Sequence, residues 1–211
     1  MLFNQVTPRE KKLFIALYSL KTILQNQLRN IEIFSSLSDE ALDLLYVHVS
    51  LVNHQKGEIL IHAERTEPYF YILEEGIARA YSDGENQQIT FWFGEKGDIL
   101  FSYNSYINNK PGYENMELLE DCRLYKIKIA DLLALYSVNI ELANWGRKIV
   151  EAELIATEKR LIDRLFKTAT ERYHDFSIQT PELIKKVALK HIASYLGVTQ
   201  VTLSRIRATI K

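Results

Sequence analysis

The sequence predicts an α+β fold: a β-roll with flanking helices, then a long helix, then a closing helix-turn-helix. Three observations carry this. Six of the eight glycines fall between Gly57 and Gly112, separating short runs rich in β-branched, aromatic and leucine residues. From 131 to 173 there is a single glycine, Gly146, and no proline, and apolar residues recur at helical spacing. Between 189 and 207 two short amphipathic segments flank Gly197.

Over 9–29, Leu13, Phe14, Leu17, Tyr18, Leu20, Leu24 and Leu28 recur at helical spacing and predict an amphipathic helix. A second helix should begin after Ser38, a good N-cap, and run through Leu42 and Leu45. The strand runs are EILIH (58–62), YFYIL (69–73), IARAY (77–81), QITFWF (88–93) and CRLYKIK (122–128). Turns are supplied by Lys56-Gly57, the stretch 83–86 and Lys96-Gly97-Asp98.

In the long helix, Leu142, Trp145, Ile149 and Ala152 repeat at 3–4–3 spacing, and Leu161, Ile162 and Leu165 extend the stripe. The first four are the expected dimer seam, in the manner of a coiled coil. The competing reading folds the stripe back onto the roll; Gly146 favours it slightly, and would also permit a close helix approach. His174-Asp175-Phe176 and Thr180-Pro181 punctuate the chain. Helices are then expected over 181–187, with Thr180 as N-cap, over 189–196, and over 200–210, capped by Thr199. The domain reading is an N-terminal helix (1–30), a roll (31–130), a dimerisation helix (131–173) and a helix-turn-helix unit (174–211).

The chain has 211 residues, is 47% hydrophobic and 25% charged, and carries a net charge of −1. No stretch approaches ~20 consecutive apolar residues, so no membrane span is expected. The N-terminus lacks the layout of a secretory signal. One cysteine, Cys122, excludes an intrachain disulfide or a multi-cysteine metal or cluster site, and fits a cytoplasmic protein. Charge is unevenly spread. Residues 181–211 hold six bases against Glu182, a net +5, leaving −6 on residues 1–180. A basic unit on an acidic body suggests that only this unit meets a polyanion.

Ala193 is small where two helices would cross, and Gly197 tolerates the turn between them. Leu189, Ile192, Leu196, Val198, Leu203 and Ile206 are spaced to meet beneath. Thr199, Gln200, Val201, Thr202, Ser204, Arg205 and Arg207 then remain outward. Arg suits guanine, Gln suits adenine, and Val201 suits a thymine methyl. Thr199, Thr202 and Lys190 suit phosphates. This is the helix-turn-helix arrangement, and its expected partner is double-stranded DNA.

The order of small helices, glycine-rich roll, long helix and C-terminal helix-turn-helix resembles the cyclic-AMP receptor and fumarate–nitrate regulator superfamily (Crp/Fnr). The resemblance covers 31–211. It rests on KGEIL (56–60), YILEEGIARAY (71–81) with its Gly76, KGDIL (96–100) and IASYLGVTQVTLSRIR (192–207). It implies a cyclic-nucleotide-binding-like jelly roll that senses an effector, a long helix that forms the dimer, and a last helix that reads DNA.

Three departures shape the expectations. The family's nucleotide site ends in an arginine that pairs with the cyclic phosphate; here the corresponding stretch is Pro111-Gly112-Tyr113-Glu114-Asn115. Without that charge-assisted pair, and with Glu114 nearby, cyclic AMP is not the expected effector. A pocket of Gly97, Asp98, Phe101, Tyr103 and Tyr113, with Tyr106, would be more aromatic; alternatively the rings simply fill the core. In the recognition helix only Arg205 survives from the family's R-E-x-x-x-R, so a different operator is expected. The sequence also ends just past that helix, without most or all of the family's β-hairpin wing.

The reading is a non-enzymatic, cytoplasmic regulator of transcription. Its expected partners are an approximately palindromic operator, a second copy of itself and RNA polymerase, with no membrane. No cofactor and no metal are expected beyond a small-molecule effector of unassigned identity. Two alternatives compete. A metal-dependent, cupin-like enzyme would need His62-Ala63-Glu64 to converge with His54 or His48. A protein-interaction module would use the helix pair without DNA. A haem held by Cys122 is a further, weaker reading.

Overall fold

The computed structural model describes Thr7 and residues 28–85 and 87–209. The expected helix over 9–29 lies almost wholly outside the described residues; its last turn places Leu28, fully buried, in the core. After a single 3-10 turn, Glu32–Phe34, helix α1 spans Asp39–Tyr46, and the Ser38 hydroxyl accepts the Ala41 N–H as its cap.

The roll consists of β1 (Ser50–His54), β2 (Ile59–Ile61), β3 (Tyr69–Glu75), β4 (Ala78–Asp83), β5 (Gln88–Gly94), β6 (Ile99–Leu100), helix α2 (Tyr103–Asn108), β7 (Asn115–Leu118) and β8 (Cys122–Lys128). It has two four-stranded antiparallel sheets, ordered β1-β8-β3-β6 and β2-β7-β4-β5. All five expected strand runs form strands. β1, β6 and β7 go beyond the sequence expectation: β6 and β7 are only two and four residues long, too short to show an alternation.

Strand β3 explains how the layers stack. Its residues alternate sides. Tyr71 and Leu73 point between the sheets, with Leu100, Leu118 and Leu124. Phe70 and Ile72 point outward, where Leu42, Leu45, Leu132 and Leu142 cover them. The strand is therefore apolar on both faces, as its unbroken YFYIL requires.

The expected single helix over 131–173 is three: α3 (Ile129–Val138), α4 (Ile140–Phe166) and α5 (Ala169–Gln179). Asn139 makes the first break. Its extended backbone (φ −135°, ψ 111°) leaves the helix, its N–H closes α3 on Leu135, and its side chain accepts the Leu142 N–H at 2.9 Å. Thr168 makes the second through a reciprocal capping box with Glu171. His174 and Phe176, expected to interrupt the chain, lie inside α5.

Leu142 and Trp145 are corrected too. They are not outward seam residues; both are buried in the core (0% and 4% exposed). Trp145 stacks on Phe34 at 5.4 Å and donates its indole N–H to the Ile33 carbonyl at 2.5 Å. Ile149 packs against the same core, and Ala152 opens onto a cleft described below. Gly146 allows the close approach: a Cβ there would sit 2.3 Å from the Tyr136 hydroxyl of α3. The exposed apolar row lies further along α4, at Leu154, Ile155, Leu161, Ile162, Leu165 and Phe166. Trp145→Ala should therefore destabilise the folded chain by ~3–5 kcal/mol in urea unfolding, the cost of a large core cavity. A seam residue would show a destabilisation that depends on protein concentration; Trp145 should not.

Candidate nucleic-acid interface and ligand cleft

Helices α6 (Pro181–Lys186), α7 (Leu189–Leu196) and α8 (Gln200–Thr209) close the described chain. Thr180 precedes Pro181 as expected, but its hydroxyl donates to the Phe176 carbonyl at the end of α5 and does not cap α6. α7 buries His191, Ile192, Ala193 and Leu196. Gly197 takes the left-handed conformation (φ 70°, ψ 36°) that ends α7, and a Cβ there would meet the Arg164 guanidinium at 2.8 Å. The Thr199 hydroxyl accepts the Thr202 N–H at 3.1 Å and starts α8.

Only Leu203 and Ile206 of α8 are buried. Thr199, Gln200, Val201, Thr202, Ser204, Arg205 and Arg207 are all exposed, and so is Lys190 on α7. Among the described residues Lys190, Arg205 and Arg207 form no ion pair, so their charge is available to a partner. Lys185 and Lys186 are different: Glu182 holds the first at 2.7 Å and Glu120 of the roll holds the second at 3.3 Å.

The sequence carries no signal for how this unit sits on the roll. β5 is the edge of its sheet. Ser194 of α7 covers it, accepting the Thr90 N–H at 2.9 Å and donating to the Gln88 carbonyl at 2.8 Å. Beneath lies Arg79, 2% exposed. It bonds Glu117 at 2.8 Å, Thr90 at 3.1 Å and Gln88 at 2.5 Å, and stacks over the Tyr81 ring at 4.1 Å. Phe93, Phe176 and Tyr195 form an aromatic cluster beside it, with centroids 5.2–6.1 Å apart. His191 is buried there, and burial first, then the charges of Arg79 and Lys190, pushes its pKa down to about 4. Arg172 of α5 donates to the carbonyls of Lys167 and Leu196, joining the end of α4 to the end of α7.

A cleft of about 1260 Å³ lies between the roll and α4. Gly97, Asp98, Phe101, Tyr103 and Tyr113 all line it. They do so differently. Phe101 is 5% exposed and packs on Phe70, Tyr103 and Tyr106, so it is core as much as lining. Tyr113 stands at the mouth, 66% exposed. Tyr106 turns away into the core against Tyr136. Asp98 accepts the Glu95 N–H at 2.8 Å. Water in the cleft still reaches its carboxylate, but the crowding walls, with Glu153 and Glu95 nearby, push its pKa up to about 6. Sequence reasoning missed the far wall, where Arg160 pairs with Glu153 at 2.5 Å.

Residues 51–139 match the cyclic nucleotide-binding domain family. No curated protein sequence matches the chain. Among solved structures it is similar to FixK2 from Bradyrhizobium japonicum, at 18% identity over 77% of this chain and 84% of that one, with a TM-score of 0.68. It is also similar to a protein of the crp/fnr family from Eubacterium rectale (15% identity, 83% and 84% covered, TM-score 0.67). A third is the c-di-GMP-responsive global regulator CLP from Xanthomonas campestris (12% identity, 82% and 91% covered, TM-score 0.64). At these identities the likeness is one of fold, and the fold is that of the Crp/Fnr regulators.

The histidines of the metal-enzyme alternative go separate ways. His48 faces Asp131 at 3.5 Å and His54 bonds Glu58 at 2.8 Å. Among the described residues no three His, Cys, Asp or Glu side chains could hold a metal ion together. Cys122 is buried between the sheets, and burial pushes its thiol pKa up. Among the described residues no helix is long and apolar enough to cross a membrane.

The pH dependence of the docked unit follows from His191. Above pH 6.5 it is neutral in both folded and unfolded chains. Between pH 6.5 and about 4 the unfolded chain takes up a proton that the folded chain does not, so stability falls as the pH falls. The loss should approach ~3 kcal/mol near pH 4. Urea unfolding of the wild type against His191→Gln isolates it: the difference between them should narrow steadily from pH 7 to pH 4.

Proposed function

We propose that this protein is a DNA-binding transcription regulator of the Crp/Fnr type, cytoplasmic and homodimeric, whose α8 enters the major groove. One observation carries the reading. Every side chain expected to touch DNA stands exposed on α7, on α8 or at its cap, while Ile192, Leu196, Leu203 and Ile206 of the same pair are buried in one core with Ile77 of the roll. Arg205 is the guanine reader and Lys190 a phosphate contact. The exposed row on α4 supplies the dimer seam: Leu154, Leu161 and Leu165, with Ile155 and Ile162, fall close to a 3.5-residue repeat. Two copies of α8 then face half-sites ~34 Å apart on an approximately palindromic operator. RNA polymerase is a further partner of such a regulator. The reading includes no enzymatic activity and no cofactor.

The loop that would bring an arginine to a cyclic phosphate brings Glu114 instead. Cyclic AMP should therefore bind weakly or not at all. An effector in the cleft would act by favouring one dimer arrangement over another, which requires different affinities for the two.

Two experiments test this. In a binding assay on operator fragments selected by the protein, Arg205→Ala should lose ~1–3 kcal/mol, chiefly at one base position. Lys190→Ala should weaken all sequences alike and flatten the log–log salt slope by ~0.9 for each phosphate it no longer neutralises. Equal behaviour of the two variants would refute the groove assignment. In sedimentation, Leu161→Glu with Leu165→Glu should convert dimer to monomer while Trp145 fluorescence stays native-like; an unchanged dimer would place the seam elsewhere.

A further inference from the structure

The cleft contains a carboxylate that the fold leaves half used. Glu114 is 4% exposed, yet it lines the cleft. Its Oε2 accepts the N–H of Tyr113 at 3.0 Å. Among the described residues no cation pairs with Glu114, and no donor meets Oε1. Burying a carboxylate without a counter-charge is costly. Buried carboxylates elsewhere in a fold normally have partners, and two partly buried ones here have cations: Glu117 has Arg79 and Glu74 has Arg123.

The same wall supplies Asp98, which holds one backbone N–H and no ion pair. Between and around the two acids the lining is apolar: Trp92, Phe101, Tyr103 and Met116. The opposite wall carries Lys148, Lys159, Arg160, Arg164 and Arg172. Arg160 is bound to Glu153, and Arg172 to two carbonyls. The roll side of the cleft is thus shaped for a positive, donor-bearing head with an apolar body.

We propose that the cleft takes an organic ammonium ligand, its head on Glu114 and Asp98 and an aromatic or aliphatic body along Trp92, Phe101 and Tyr103. A charge-assisted hydrogen bond from the ammonium completes the pair that Glu114 lacks, and the aromatic rings favour a cation beside them. The inference rests on the reading of this cleft as the effector site, and it names the class of effector.

Calorimetry on the full chain tests it with four probes: phenethylamine, phenethyl alcohol, phenylacetate and cyclic AMP. Phenethylamine should bind at least tenfold more tightly than each of the others, a difference of about 1.4 kcal/mol. Glu114→Gln should weaken phenethylamine at least tenfold and leave phenylacetate no weaker. No heat with phenethylamine overturns the proposal. So does equal or tighter binding of phenylacetate or cyclic AMP, or an amine affinity indifferent to Glu114→Gln. If that variant misfolds, the amine-to-alcohol comparison on the wild type decides alone. DNA binding measured on the same preparation separates the two readings. Operator binding without amine binding rejects the ligand class alone; amine binding without operator binding rejects the regulator and leaves the site.

Discussion

The exposed edge of β5 has to be covered, and α7 covers it. An open sheet edge is a row of unpaired N–H and C=O groups that invites association. Here a single hydroxyl, that of Ser194, answers one of each. Because α7 is also the first helix of the closing helix-turn-helix, satisfying the sheet fixes the placement of that unit. The buried Arg79 reinforces the arrangement: it ties Glu117 of β7 to Gln88 and Thr90 of β5, and so stiffens the strand that Ser194 grips. A guanidinium that is 2% exposed survives only because its donors are bonded and its face is stacked. Close by, His191 stays neutral, so the interface does not bury a second uncompensated charge.

Much of the fold is legible because the residues that build it act locally. Ser38 and Thr199 are caps that work within their own turn, and both read correctly from sequence. The outward face of α8 is legible for the same reason: Leu203 and Ile206, three apart, define its inside without reference to anything else. The strand runs 69–73 and 122–128 are apolar enough to be recognised even though both faces are buried.

The misreadings have equally local causes. Thr168 and Glu171 form a capping box in plain view, but an apolar stripe on either side of it masks the break between α4 and α5. Asn139 breaks the chain earlier in the same way. Leu142 and Trp145 belong to a helical stripe whose periodicity is real; periodicity identifies a buried face and is silent about what buries it. For the first turns of α4 that is Phe34 and the Ile33 carbonyl, far away in sequence. The stripe changes its function along one helix, from intramolecular core near Trp145 to an exposed row beyond Leu154. The bonds of Ser194 and Arg79 have no sequence signature at all, because a serine on a helix and an arginine in a strand are ordinary until the fold brings them within bonding distance.

The cleft joins these parts mechanically. Asp98 and Glu114 come from the roll, Glu153 and Arg160 from α4, and Arg172, Tyr195 and Leu196 from α5 and α7. Three bodies therefore share one cavity, and each is tied to the next by few bonds: Trp145 to Ile33, Arg172 to Leu196, Ser194 to β5. A molecule that bridges roll and α4 must either accept the present spacing of those walls or change it. If it changes the spacing, the strain falls on the attachments between the bodies, the bonds of Ser194 and the Phe93, Phe176 and Tyr195 cluster among them. Coupling between cleft and α8 then needs no chain of intermediaries; it needs only that a ligand favour one spacing over the other by a few kcal/mol.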